Sequence, residues 1–116
     1  MFFLLNIKTV SEANLREHWA QKARRAKTQR GAACLCIKAR LPFFPLGQEP
    51  KEITLIRVAP RELDSDNLAG ALKAIRDGIA DALWPNIVSQ LRDKVAIWRY
   101  EQRKGGVGEY AVEVEF

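Results

Sequence analysis

The stretch 66–83 constrains the fold more than any other, because its apolar residues recur at the spacing of an amphipathic helix. At about 100° per residue these residues fall on one side of the helix, and the polar residues fall on the other. Trp84 and Pro85 end the pattern. We therefore predict one long helix with a single core-facing side. That side consists of Leu68, Leu72, Ile75, Ile79 and Leu83.

The segments around this helix are predicted to be strands, because they are rich in β-favouring residues or alternate apolar with polar positions. A second helix is predicted over 11–30, ending at Gly31, and three prolines between 42 and 51 indicate a loop. Residues 86–92 fit either a helix or a loop. The predicted order, β-α-β-β-α-β-β, is that of an α+β protein with one mixed sheet covered by two helices. The predicted strands are 2–10, 32–41, 52–59, 94–102 and 110–116.

The size and composition fit a single folded domain over 1–116. The 116 residues are 47% hydrophobic and 28% charged, which is ordinary for a globular protein and too apolar for disorder. The apolar start at 1–5 is too short to span a membrane, and it lacks the basic start and cleavage site of a signal peptide. We therefore expect a cytoplasmic protein with no membrane partner.

Few residues are available for thiol or imidazole chemistry. In a strand, Cys34 and Cys36 would lie about 7 Å apart, at or beyond the limit for a disulfide. Together with His18 they supply three zinc ligands, whereas a structural zinc site needs four. We interpret the cysteines as small buried hydrophobic residues. We expect His18, which lies in a basic stretch, to be solvated or to contact phosphate.

Most of the net charge of +5 lies in the predicted helix over 11–30. Six Lys and Arg residues stand there against Glu12 and Glu17, an excess of four, and Trp19 with the nearby alanines can form its buried side. The charges favour a surface that contacts phosphates, because Lys and Arg release counterions when they bind nucleic acid. The alternative is a solvated helix face. The six basic residues are Arg16, Lys22, Arg24, Arg25, Lys27 and Arg30.

Two carboxylates precede the long helix. Asp64 and Asp66 lie two residues apart, and carboxylate oxygens are the ligands that Mg²⁺ or Mn²⁺ prefers. The alternative is that Asp66 caps the helix and Asp64 is a loop residue. On the helix, Lys73 and Asp77 share the polar stripe with Asp66, although they can also form a simple i,i+4 pair. Asp93, just before the fourth strand, is a candidate third carboxylate.

These residues occur in an order that resembles a known family. A D-x-D-N-L motif at 64–68 precedes a helix with Leu72-Lys73 and Asp77. A later acid then leads into a strand, and a K-G-G hairpin at 104–106 precedes a terminal strand. The pattern resembles the RusA family of Holliday junction resolvases over nearly the whole chain. The basic stretch 14–30, with its His-Trp pair, is similar to the same region of phage-encoded relatives.

The resemblance implies a RusA-like fold and a Mg²⁺-dependent endonuclease that cuts four-way DNA junctions as a homodimer in recombination and repair. It implies that Asp64 and Asp66 are the acidic pair of the metal site and that Asp93 is the later catalytic acid. It also implies that Lys73 is the essential lysine, and that the basic helix and Arg61 bind the DNA backbone.

The chain departs from the family pattern at two positions. The family lysine commonly follows the second Asp by four residues, where this chain has Gly70, and Lys73 lies about 4.5 Å further along the helix. The family often has an Asp-Asp pair before the fourth strand, where this chain has Asp93 alone. Two other interpretations therefore stay open. The chain is either a catalytically degenerate DNA-binding relative or an unrelated α+β domain with solvated charges.

Overall fold

Three parallel strands and one antiparallel strand form the sheet on which the fold is built. The computed structural model describes residues 2–12, 16–40, 52–92 and 95–116. The elements, in chain order, are β1 (Phe2–Leu5), α1 (Trp19–Arg40), β2 (Glu52–Ala59), α2 (Ser65–Leu83), α3 (Ser89–Arg92), β3 (Ile97–Lys104) and β4 (Ala111–Glu115).

The four strands form one mixed sheet in the order β1-β4-β2-β3. β2 pairs with β3 in parallel, from Glu52 opposite Ile97 to Ala59 opposite Lys104. β4 is antiparallel to both β1 and β2, so β1, β2 and β3 run in the same direction. Each long helix returns the chain to the start of the next parallel strand. Both α1 and α2 therefore begin near the end of the sheet where the parallel strands have their carboxyl termini.

The core lies between the inner face of the sheet and the two helices. Its sheet side is formed by alternate residues such as Leu55 on β2 and Val114 on β4, which face each other in register. α2 buries the side that its periodicity predicts, although Leu83 is only partly buried. The fully buried large side chains include Leu5, Ile37, Ile53, Leu55, Leu72, Ile75, Ile79, Val112 and Val114.

The two helices are in closest contact at Gly78 of α2. A Cβ atom at Gly78 would lie 2.2 Å from the carbonyl oxygen of Arg30 and 3.0 Å from the Cβ of Ala33. No real side chain tolerates a contact of 2.2 Å, so glycine is required at this crossing.

The α+β class and the mixed sheet agree with the sequence, but the predicted strand at 32–41 is wrong. α1 continues through Gly31 to Arg40, and the observed order is β-α-β-α-α-β-β. Gly31 is exposed, and its cost of about 1 kcal/mol within a helix is offset because Ala33 and Ile37, one turn apart, are buried. Consequently Cys36 is exposed and only Cys34 is partly buried, which corrects the prediction of two buried cysteines.

The amino-terminal part of the predicted first helix also differs. Residues 16–18 are not helical, and α1 begins at Trp19, where His18 Nδ1 accepts the backbone N–H of Ala20 at 3.2 Å. Trp19 is 73% exposed, and the buried positions of α1 are instead Gln29, Ala33 and Ile37. The prediction of Trp19 as a core residue is therefore wrong.

The remaining boundaries shift by a few residues. β1 ends at Leu5 rather than at residue 10, and β3 begins at Ile97 rather than at residue 94. The ambiguous segment 86–92 contains the short helix α3. The predicted loop over 42–51 lies outside the described residues. Within the part of the chain that the structure describes, no helix is long and apolar enough to cross a membrane.

Candidate nucleic-acid interface

The acidic pair lies at the amino end of α2. Asp64 is the N-cap, with φ −67° and ψ 167°, and its Oδ1 accepts the backbone N–H of Asn67 at 2.9 Å. Asp66 lies in the first turn, where a carboxylate is favoured by the helix dipole. Asp64, rather than Asp66, thus caps the helix. Both residues are exposed, and their carboxylates are accessible to a ligand.

The loop that carries this pair is fixed by two polar side chains from the sheet. The side chain of Gln102 on β3 accepts the N–H of Leu63 at 2.9 Å and donates to the carbonyl oxygen of Leu63 at 2.6 Å. Arg57 on β2 is buried and donates to Thr9 Oγ1 at 2.8 Å and to the carbonyl oxygen of Arg61 at 2.7 Å. The segment 61–63 is therefore held rigidly against the carboxyl edge of the sheet.

The sequence analysis did not identify Arg57, which supports the loop before the acidic pair. Its burial lowers the pKa of the guanidinium, but Arg57 remains charged at neutral pH because the ordinary value is so high. The available signal was an arginine at an inward position of a strand whose other inward residues, Ile53, Leu55 and Ala59, are apolar. A buried cation of this kind needs hydrogen-bond acceptors, and the acceptors it finds fix the loop before Asp64.

An open groove of about 440 Å³ separates α1 from α2. The groove runs along 26–30 of α1 and 70–77 of α2, so the amino-terminal turns of both helices lie just beyond one end of it. Lys73 Nζ lies 3.1 Å from Asp77 Oδ2, which confirms the i,i+4 pair. The groove therefore combines the basic helix with the polar stripe of α2. Its lining residues are Ala26, Lys27, Arg30, Gly70, Lys73, Ala74 and Asp77.

Two of the basic residues hold the segment that precedes α1. Arg25 donates to Glu12 at 2.8 and 2.5 Å and also bonds Glu17. The hydrogen bond from Arg25 lowers the pKa of the Glu17 carboxyl. Lys22 Nζ donates to the carbonyl oxygen of Glu12 at 2.9 Å. The charge of Arg25 is thus balanced within the protein.

Arg30 is paired as well. Its Nε and Nη2 donate to Asp81 of α2 at 2.5 and 2.8 Å, and Arg92 of α3 bonds the same carboxylate. The pKa of Asp81 is held below its usual range, first by the hydrogen bond from Arg30 and then by that from Arg92. Asp81 therefore ties α1, α2 and α3 together.

The other basic candidates point to solvent. Their side chains have no acidic partner among the described residues, so their charges remain available to an anionic ligand. They are Arg16, Arg24, Lys27 and Arg61.

The candidate third acid, Asp93, lies outside the described residues. Arg92 contacts Asp81 on α2. Asp81 follows Asp66 by 15 residues, so the two lie about 22 Å apart along the helix at 1.5 Å per residue. Among residues 2–12, 16–40, 52–92 and 95–116, no three His, Cys, Asp or Glu residues come close enough together to hold a metal ion. Asp77 lines the groove, and Asp66 lies about one turn before Gly70 on the same face of α2.

Comparison with known proteins identifies no relative. No protein-family model matches the chain, and searches of curated proteins and of solved structures found no match. Any functional conclusion rests on the residues themselves.

Proposed function

We propose that this protein is a Mg²⁺-dependent endodeoxyribonuclease of the RusA type that cuts four-way DNA junctions as a homodimer. The observation that carries the proposal is the continuity of the acidic pair with the basic groove. Asp66, Gly70, Lys73 and Asp77 follow one face of α2, and the last three line the groove opposite Lys27 of α1. A phosphodiester backbone that extended from the groove past Gly70 would reach Asp66, about 6 Å earlier along the same face of α2.

The acidic pair fits a Mg²⁺ ion. Asp64 uses one carboxylate oxygen as helix cap and keeps the other free, and Asp66 is exposed. Mg²⁺ is commonly bound through one or two carboxylates together with water and substrate phosphate, so two acids suffice for a site that the DNA completes. When bound, the ion would lower the pKa of a water molecule and offset the charge on the leaving oxygen.

The side chains of the groove would hold the DNA. Lys27 and Lys73 would contact phosphate oxygens, and the ion pair with Asp77 orients the Lys73 ammonium towards the groove. Contacts of this kind position a strand without reading its sequence, as expected for an enzyme that recognises the shape of a junction. Arg16, Arg24 and Arg61 would extend the basic surface on either side.

A two-fold homodimer would place two such sites symmetrically, which matches the symmetry of a four-way junction. The outer face of the sheet exposes Phe2, Leu4 and Ile97, each more than half accessible. Phe2 and Leu4 lie on the edge strand β1, whereas Ile97 lies on the opposite edge strand β3, and both edges lie away from the groove. We place the contact between protomers at the β1 edge, because it leaves the groove open.

A second candidate is a binding protein of the same fold without nuclease activity. It is favoured by Gly70, which stands where the family pattern has its lysine. Such a protein would keep the basic groove and bind junctions without cutting them.

Cleavage of a synthetic four-way junction separates the two candidates. We expect the wild type to cut the junction, but not a linear duplex, when Mg²⁺ or Mn²⁺ is present. Asp66→Asn should bind the junction without cutting it and should lose the rise in Tm that Mg²⁺ gives the wild type, a measurement independent of activity. Equal cleavage by Asp66→Asn would overturn the metal assignment. Tight binding without cleavage by the wild type would favour the binding protein.

Moving the lysine tests the role of Lys73. A Cβ at Gly70 would meet no atom within 4 Å, so this position accepts a side chain. We expect Lys73→Ala to reduce cleavage and the added change Gly70→Lys to restore part of it, because both positions line one groove. Failure of the double variant to recover, with folding intact, would show that Lys73 acts elsewhere. Asp93→Asn in the same assay tests the third acid.

A further inference from the structure

Trp19 is an exposed aromatic residue at the start of the basic helix. Its side chain is 73% exposed, whereas tryptophan is on average among the more buried residues. Its ring contact in the described part of the chain is with His18, at 5.3 Å between centroids and 34° between planes, and His18 is itself exposed. The indole therefore contributes little to the core and presents most of its surface to solvent.

The position of Trp19 on α1 directs it along the groove. Ala23, Ala26 and Arg30 follow it by 4, 7 and 11 residues, which places all four within about 60° of one another around the helix. Ala26 and Arg30 line the groove, and Ala23 is exposed. The strip of helix surface that carries Trp19 thus continues into the groove, about 10 Å further along the axis.

Trp19 and the acidic pair lie at the same end of the groove. α1 and α2 run in the same direction and are in closest contact where Gly78 meets Arg30 and Ala33. Asp66 precedes Gly78 by twelve residues, and Trp19 precedes Arg30 by eleven. Each therefore lies about 16 to 18 Å from the crossing, measured along its own helix axis.

We propose that Trp19 stacks on an unpaired base of the bound DNA while Lys27 contacts the phosphates of the same strand. Every base presents a π-face, so an exposed aromatic side chain beside a basic groove is suited to single-stranded DNA of any sequence. The charge favours this occupant, because Arg24 and Lys27 have no acidic partner among the described residues and 19–30 contains no acid. The inference rests on the proposed function and adds to it that the strand beside the acidic pair is held with an unstacked base.

Binding of single-stranded oligonucleotides to the full chain, measured by fluorescence anisotropy in EDTA, tests this role. The probes are a labelled thymidine 12-mer and an abasic 12-mer with the same phosphates and no bases. We expect the wild type to prefer the thymidine oligomer and Trp19→Ala to weaken that binding about tenfold, with less than a twofold effect on the abasic oligomer. Trp19→Phe should retain most of the preference.

Leu35→Ala provides the matched control. Leu35 is 70% exposed on the carboxyl-terminal half of α1, away from the groove-lining residues, so its substitution should change neither affinity. The inference would be overturned if Trp19→Ala lost the same affinity for both oligomers, or lost no affinity for either. Binding of neither oligomer by the wild type would also overturn it and would point to a protein partner for the exposed indole.

The outcomes separate this inference from the proposed function because the assay requires no cleavage. A wild type that fails to cut junctions, yet prefers bases through Trp19, would refute the nuclease and leave the stacking role established. A wild type that cuts junctions, with binding unaffected by Trp19→Ala, would refute the stacking role alone.

Discussion

The two helices that line the groove are attached to the fold by different interactions. α2 has eight buried residues, from Leu68 to Ala82, distributed along nearly its whole length. α1 has three, and none precedes Gln29. The first turns of α1 are held instead by the ion pairs of Arg25 with Glu12 and Glu17. Packing therefore fixes the helix that carries the acidic pair, whereas charge anchors the helix that presents most of the cations.

The largest expected effect comes from removing a packed side chain of α2. Ile75→Ala deletes three carbon atoms from a fully buried position, and we expect a loss of about 2–5 kcal/mol in the free energy of unfolding. Trp19→Ala removes a larger side chain from α1 but should change stability by at most about 0.5 kcal/mol, because that side chain is exposed. Urea denaturation of the two variants compares the helices directly. Similar losses would show that Trp19 is packed.

Substitution of the two α2 glycines should change stability in opposite directions. Gly78→Ala would force the helices apart at the crossing, where its Cβ meets the carbonyl oxygen of Arg30, and should cost about 1–3 kcal/mol. Gly70→Ala places a methyl group in open space and should stabilise the helix by about 0.5–1 kcal/mol. Thermal unfolding checks the signs. A stabilising Gly78→Ala would contradict the close approach.

The carboxylate that joins the helices should make stability depend on pH. Because Arg30 and Arg92 hold the pKa of Asp81 below its usual value of about 3.9, its contribution is fully present above about pH 4 and is lost as the pH falls through the folded-state value. We expect Asp81→Asn to cost about 1–2 kcal/mol at pH 7 and progressively less below pH 4.

Asp77→Asn is the matched control for Asp81→Asn on the same helix. Asp77 forms a surface i,i+4 pair with Lys73, so its substitution should change stability by less than about 0.5 kcal/mol. A difference between wild type and Asp81→Asn that stays constant down to pH 2 would contradict the role assigned to the carboxylate.

The same contrast explains what the sequence could predict. α2 repeats Leu68, Leu72, Ile75 and Ile79 on one side, so its length and buried face follow from periodicity alone. α1 lacks such a repeat, because its early turns are not packed on the core. Gly31 and the apolar run after it then suggested a strand, although Ala33 and Ile37 are spaced for a helix. Tertiary burial, rather than local propensity, determines the structure of that run.

The placement of the candidate residues on α2 could be predicted from the sequence, whereas their contacts with other elements could not. The spacing predicts Asp66, Lys73 and Asp77 on one face of α2, and Lys73 and Asp77 do form an ion pair and line the groove together. The pairing of Arg25 and Arg30 with carboxylates far along the chain required the tertiary fold. So did the approach of Lys27 to the stripe on α2, because no local pattern determines which sides of two helices meet.

The central claim is that the groove between the two helices binds DNA phosphates, and the salt dependence of junction affinity tests it most directly. Lys27→Gln and Lys73→Gln should each reduce the slope of log K against log salt concentration by about one unit. Lys38→Gln is the control, because Lys38 is exposed on α1 but lies beyond the groove. The account predicts that the two groove variants change the slope and that the control does not. Slopes for all three variants that match the wild type would contradict it.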